Sequence, residues 1–346
     1  MLGAGVPPTV TQHGNLRVTK LNVKEGGEHA YAAKFSEDGK YFGVTYGSGV
    51  VRLFETETLA PVQRMKALPQ HDDVPATSIK WRRQTTEGLY EFASATSGGA
   101  VYGWQWDRSA DSASTFVERA WKGLEEGNET ASIDYSPDGA LLASVGSDRK
   151  VRIYDCETRK LVDTLEKGVD ETGHTRPAHT NRVFCAKFAS QTTLLTGGWA
   201  NPVQVWDMRT KKSERQLGGP NVGSDSIEVM EGTSRVVVSS TRKENQLQVF
   251  DYISGTEITT ESEKLSKGCG NMHLHGVRYL KDSNSLFCIA CKPDVILHMD
   301  ATTGEVKGMV EELGVPIYSC DTIPIFSTKA LFCGGKETII MVDITE

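Results

Sequence analysis

Among the side chains able to hold a metal or move a proton, the eight histidines come first, and His273-Leu-His275 is their closest-spaced pair. Histidines at i and i+2 in extended chain share one face, a geometry that suits a metal, with Cys269 as a third donor. No carboxylate or thiol stands beside them at similar spacing, so no metal site is expected. Cys288-Ile-Ala-Cys291 has redox or zinc spacing but falls in the apolar run from Ser285 to Ala290. A strand there turns positions i and i+3 to opposite faces, so both thiols read as structural. The glycine pairs Gly98-Gly99, Gly197-Gly198 and Gly334-Gly335 each end a strand instead of joining a strand to a helix. They read as turn glycines, not phosphate loops. The Gly-x-Ser-x-Gly elbow of hydrolases and the Ser-x-Asp-x-Gly-x-Thr-Trp box of sialidase-type enzymes are both missing from the sequence. No catalytic residue, metal or cofactor is assigned, and Asn128-Glu-Thr130 is a glycosylation sequon that stays silent in a reduced protein.

Bulk properties narrow the partners. The chain has 346 residues, 38% hydrophobic and 24% charged, with 34 glycines spread along it and a formal net charge of -7. An acidic balance argues against nonspecific nucleic-acid or anionic-membrane binding, because both need a basic field to displace counterions. Lys80-Trp81-Arg82-Arg83 reads as a solvated face. The first residues lack a basic start followed by an apolar run, Leu2 excludes myristoylation, and no stretch reaches membrane-spanning length. Seven cysteines form an odd set without the density of a secreted disulfide framework, which fits reduced thiols. The expectation is a soluble cytoplasmic protein, a monomer or a subunit of a larger complex.

The elements come from a repeat. Its clearest copy runs from Ala131 to Leu165: an apolar strand ending at Tyr135, the turn Ser136-Pro-Asp138-Gly139, a strand of small residues to Gly146, and Val151-Arg-Ile-Tyr-Asp155. Lys160-Leu-Val-Asp-Thr-Leu165 is the fourth strand. Asp-Gly supplies the positive backbone angles of a two-residue hairpin, and Gly146 to Lys150 is a second reversal. Alternation in Val151 to Asp155 puts Val151 and Ile153 on one face and Arg152 and Tyr154 on the other.

The same pattern ends in an acidic residue at Glu55, Asp107, Asp155, Asp207, Asp251, Asp300 and Asp343, spaced 43 to 52 residues apart. Seven marks at that period predict seven four-stranded units. The last unit runs out at Ile339 to Ile344 after three strands, and Leu16-Arg-Val-Thr-Lys-Leu-Asn-Val23 resembles a fourth strand. Pairing the two ends would close the ring and leave no inner edge unpaired. The fold expected is all-β, a seven-bladed propeller of four-stranded antiparallel blades closed by an N-terminal strand. Residues 1–15 read as an extension and 16–346 as one domain.

These units resemble WD40 repeats, with Trp206-Asp207 as the eponymous dipeptide and Trp106-Asp107 as a second copy, over nearly the whole chain from Leu16 to Glu346. In that family a His, a Ser or Thr, an Asp and the Trp form a hydrogen-bonded tetrad that braces each blade. The resemblance places His179, Thr196 and Trp206 in such a network in unit four, with Ala200 at the Asp position. In unit three it places Ser144 and Asp148, with Tyr154 for Trp and no His near Gly127 to Glu129.

WD40 ligands usually meet the rim where the inner strands begin. The residue just before each inner strand is then a candidate: Arg182, His29, Pro75, Glu129, His273 and Pro316. Trp199 stands in the next connecting turn, where mere chain reversal needs no large aromatic, and aromatic and Arg side chains dominate binding hot spots. The resemblance thus implies a non-catalytic scaffold for a protein or peptide partner, through Arg182, Trp199, His29, His273 and Glu129. Trp206-Asp207-Met208-Arg209 matches a Trp-Asp-x-Arg motif of cullin-type ubiquitin-ligase receptors, a second reading. A structural subunit of a large cytoplasmic or cytoskeletal assembly, for example a ciliary one, is a third, and a propeller enzyme a fourth.

Overall fold

The computed structural model describes residues 6–25, 29–66, 74–83, 86–108, 117–169, 174–199, 202–323 and 328–345. These form seven antiparallel sheets arranged as the blades of a propeller. The inner strands, in blade order, are Ala30–Phe35, Ala76–Trp81, Thr130–Tyr135, Val183–Ser190, Ile227–Val229, His273–Leu280 and Ile317–Thr322. Each touches the next around the ring, and the seventh touches the first. Seven buried apolar clusters fill the seven junctions between blades. Every sheet is therefore covered on both faces, which is why its second and third strands read as nearly continuous apolar runs.

The ring closes through its ends. Leu16–Asn22 pairs with Thr338–Ile344 in register from Leu16 opposite Ile344 to Asn22 opposite Thr338. Val6–His13, within the segment set apart as an extension, adds a fifth strand outside it. Two other blades also depart from a plain four-stranded sheet. Blade four carries an extra hairpin, Lys167–Val169 with Thr175–Pro177, on its outer edge. In blade five the fourth strand is only Thr256–Glu257, and the helix Thr259–Cys269 takes over the edge. Ser262 Oγ accepts from the Val249 amide at 2.9 Å and Ser266 Oγ from the Leu247 amide at 3.1 Å. Serines one turn apart thus satisfy strand amides that a fourth strand would otherwise bond.

Two expectations need correction. The Asp-Gly turns are not two-residue hairpins: the amides of Ser36 and Ser136 bond the carbonyls of Tyr41 and Leu141, closing four-residue loops. Serine hydroxyls and the Asp38 and Asp138 carboxylates bond backbone amides inside these loops, and Gly39 and Gly139 still take positive φ, 69° and 70°. The side chains select the longer loop because they satisfy its inner amides.

The second correction concerns the acidic marks. Glu55, Asp155, Asp207, Asp251, Asp300 and Asp343 stand at one register position, opposite Tyr41, Leu141, Thr193, Arg235, Ser285 and Lys329. In blade two that position is Gln105, opposite Glu91, and Asp107 lies two residues beyond. Blade two pairs two residues further, and this extension carries Trp106 into contact with Tyr41, ring centres 4.8 Å apart. The acid does local work. Asp155, Asp207, Asp251 and Asp300 accept backbone amides two or three residues ahead, which closes the turn into the fourth strand.

Candidate functional site

The register brings seven charged side chains to one level of the channel. Lys34, Lys80, Asp134, Lys187, Glu228, Arg278 and Asp321 occupy the same position of the seven inner strands, opposite Gly43, Ala93, Ala143, Leu195, Val237, Phe287 and Leu331. With Asp225 they make four cations and four anions. Lys34 Nζ lies 2.6 Å from Asp225, Lys80 2.9 Å from Asp134 and Lys187 2.8 Å from Glu228. Arg278 reaches Asp225 at 3.1 Å, Asp321 at 3.4 Å and Glu228 at 3.6 Å. Burial alone would raise the Asp225 carboxyl. Arg278 and Lys34 outweigh it and hold that group well below the carboxylate range. Asp321 and Asp134 also accept the amides of Phe35 and Phe188 on the neighbouring blade, at 2.9 and 2.7 Å. The belt therefore ties blades together, and Lys34, Lys80, Lys187, Glu228, Arg278 and Asp321 line a cavity of about 400 Å³ where the inner strands end.

At the opposite rim the chosen side chains fall into separate groups. Arg182 Nη2 is 3.0 Å from Glu129 Oε2, with the guanidinium over the Phe184 ring at 5.7 Å. Phe184 in turn packs against Trp199, ring centres 4.8 Å apart, and Trp199 is 48% exposed. Three predicted residues thus meet around one that was not singled out. Phe184 is the bulged residue of its inner strand, the position held by Tyr31 in blade one and Tyr318 in blade seven. His29 sits with that other pair: Tyr31 and Tyr318 stack at 5.8 Å, and the Tyr318 hydroxyl is 3.2 Å from His29 Nδ1. His273 Nδ1 faces the Thr241 carbonyl at 2.6 Å and His275 Nε2 faces that of Ile317, so each ring is committed to backbone. The carbonyls of His29, Pro75, Glu129 and Pro316 accept amides from the following turn, at 2.8 to 3.2 Å. That shared duty belongs to the backbone and leaves the side chain free to vary.

The blade networks differ from one another. In blade four, His179 Nε2 and Trp206 Nε1 both lie 2.7 Å from Thr196 Oγ1. Burial pushes His179 down to about 4, so the ring is neutral. In blade three Glu125 does the bonding that His179 does in blade four. Its carboxylate accepts from Asn128 Nδ2 at 2.7 Å, Thr130 Oγ1 at 2.8 Å, the Tyr154 hydroxyl at 2.8 Å and Ser144 Oγ. Arg152 approaches it to 3.8 Å and bonds Asp148 at 2.5 Å, so one guanidinium stands between the Glu125 and Asp148 carboxylates. In blade two the Trp position is Trp104, whose indole N–H donates to Ser94 Oγ at 2.9 Å. Trp106, taken as the second dipeptide copy, lies out of register.

Residues 113–191 match the family described as the anaphase-promoting complex subunit 4 WD40 domain. The chain is a WD40-repeat propeller. Among curated proteins it is similar to the ribosome biogenesis protein WDR12 homolog of Drosophila yakuba, 27% identical over 139 residues, 39% of this chain and 32% of that protein. The homolog of Drosophila persimilis is 25% identical over 146 residues, 41% of this chain and 33% of the relative. That of Drosophila mojavensis is 24% identical over 155 residues, 43% and 36%. The chain thus spans about a third of the length of these relatives.

Within this WD40 propeller the functional groups missed at the sequence level are Glu125, Phe184, Tyr31, Tyr318 and the charged belt. The belt had a signal, a charged residue directly before an aromatic late in the inner strand, as in Lys34-Phe35, Lys80-Trp81, Asp134-Tyr135, Lys187-Phe188 and Arg278-Tyr279. Arg209 of the receptor-like motif folds back onto its own Asp207, at 2.6 and 3.1 Å. Ala200 lies outside the described residues.

Proposed function

We propose that this WD40 propeller is a non-catalytic scaffold that binds a protein or peptide partner on the rim where the inner strands begin, as a component of a larger assembly. The observation that carries the reading is the group Arg182, Glu129, Phe184 and Trp199. Two aromatic rings, a guanidinium and a carboxylate are held in mutual contact on the surface by strands of two packed blades. Such a cluster presents hot-spot side chains already ordered, so little conformational entropy is lost on binding. The relatives support the assembly part of the reading through their names, one a subunit of the anaphase-promoting complex and the others ribosome biogenesis proteins. An intracellular, reducing setting belongs to the same proposal and is supported by seven unpaired cysteines. Among the described residues no helix is long and apolar enough to cross a membrane.

The test is quantitative affinity capture from the native cell with wild type, Arg182→Glu and Trp199→Ala, each confirmed folded by circular dichroism. A loss of at least tenfold in the recovery of the same partners by both variants is expected. Equal recovery overturns the assignment of the rim.

A further inference from the structure

Every outermost strand or edge of a blade is a row of unbonded amides and carbonyls, and proteins usually block such rows with charge, proline or a covering element. Six blades here do so. Blade one ends in Pro61–Lys66 with Arg64 and Lys66, blade two in Glu118–Leu124 with Glu118, Arg119 and Lys122, and blade three in Lys160–Leu165 with Lys160 and Asp163. Blade four ends in Thr175–Pro177 with Arg176, blade five is covered by its helix, and blade six ends in Val306–Val310 with Lys307. The closing blade differs. Among the described residues its outermost strand is Val6–His13, where proline guards only the start, at Pro7 and Pro8; no Lys, Arg, Asp or Glu follows, and Val10 is 49% exposed.

The geometry of that edge is defined. Gly14 and Asn15 form a two-residue turn, with Gly14 at φ 60°, so the strand pairs His13 with Leu16, Thr11 with Val18 and Thr9 with Lys20. In an antiparallel pair the bonded positions alternate, so Val10 and Gln12 turn their N–H and C=O groups outward. Pro7 and Pro8 have no N–H to give. The usable edge is therefore Thr9 to His13, an uncharged and largely β-branched stretch spanning roughly 17 Å at the rise of a strand.

We infer that Thr9–His13 is a second interaction site, which takes an extended, uncharged, β-branched segment of a partner protein as an added antiparallel strand. The length decides the occupant. Five paired residues bury far less than the roughly 1,200 Å² that a stable complex of two folded chains needs, so a second copy of this propeller would not be held by this edge. A flexible segment suffices with main-chain hydrogen bonds alone, because its partner can be retained elsewhere. An uncharged row on the propeller favours an uncharged strand, since any charge brought against it would lose water with nothing to pair with.

The site lies on the outer edge of the closing blade and does not depend on the rim where the inner strands begin. Its test uses the full chain and the peptide acetyl-Thr-Val-Thr-Val-Thr-amide as probe. Calorimetry and amide hydrogen exchange are followed for wild type, Gln12→Pro and Val10→Lys. Saturable binding is expected, with exchange slowed at the Val10 and Gln12 amides. Binding should be at least tenfold weaker for Gln12→Pro, which removes one outward N–H and leaves the inner pairing intact. Val10→Lys keeps the backbone donors and should weaken binding less. No binding to wild type, or equal binding to a folded Gln12→Pro, overturns the site. Sedimentation that shows a wild-type dimer lost in Gln12→Pro overturns the assigned occupant.

Discussion

In blade four the groups that tie the second strand to the third are a neutral imidazole, a hydroxyl and an indole, while in neighbouring blade three the same place holds a buried carboxylate ringed by donors. Both arrangements bond side chains that the blade-to-blade packing has removed from water. They differ in what a lost partner leaves behind. Taking His179 away leaves Thr196 still bonded to Trp206 and no charge exposed to the interior. Taking Glu125 away strips the acceptor from Asn128, Thr130, Ser144 and Tyr154 at once and leaves Arg152 with Asp148 alone. Blades of similar shape are thus braced with very different sensitivity, because an unpaired buried donor costs its full desolvation while a satisfied one contributes little net.

The largest effect follows from that difference. Glu125→Ala is expected to destabilise the propeller by about 3–5 kcal/mol, the cost of breaking a buried charged network from one side. Denaturant unfolding compared with His179→Ala measures it. Equal losses in the two variants would break the comparison.

Acid separates the two blades next. The folded His179 is held at about 4, below the 6.5 of the unfolded chain. Above pH 6.5 both states are neutral and the residue contributes nothing. As pH falls from 6.5 to 4 the unfolded chain takes up a proton that the folded one does not, so stability is lost, about 3 kcal/mol by pH 4. His298, also held at about 4 by burial, acts in the same direction. His275, which burial also lowers, adds to it, so His179→Gln should remove part of this dependence between pH 6.5 and 4, measured by urea midpoints across the range. An unchanged slope would mean that the imidazole is reached by water.

How much of this was legible depended on whether the signal sat in one strand or between strands. Seven units, their strand order and the closure by Leu16 to Val23 could be read from alternation and from the acidic residues, because each of these is a local pattern. The shift of Trp106–Asp107 out of register was invisible, since it depends on how far blade two pairs beyond Tyr90. Glu125 was missed for a related reason. The family pattern expects histidine near Gly127 to Glu129, and a carboxylate does the same task only because Ser144 and Tyr154, distant in sequence, aim their hydroxyls at it. On the rim, Arg182, Glu129 and Trp199 could be nominated by type, yet Phe184, which joins Arg182 to Trp199, carries no local mark, because an aromatic in an inner strand is equally expected in the core.

A smaller effect tests the middle residue of each network. Thr196→Val keeps the shape but removes the acceptor shared by His179 and Trp206, leaving a buried indole N–H unpaired, at a cost of about 2 kcal/mol. Ser144→Ala removes one of several donors from a carboxylate that keeps Asn128, Thr130 and Tyr154. Its expected cost is about 1 kcal/mol or less, although Ser144 is as deeply buried as Thr196. Thermal unfolding of the two single variants and their double compares them directly. The sites lie in different blades and share no partner, so the costs should add to within about 0.5 kcal/mol. If Ser144→Ala proves the costlier change, the blade-three carboxylate depends on that one hydroxyl, and the tolerance expected of a many-donor network does not hold.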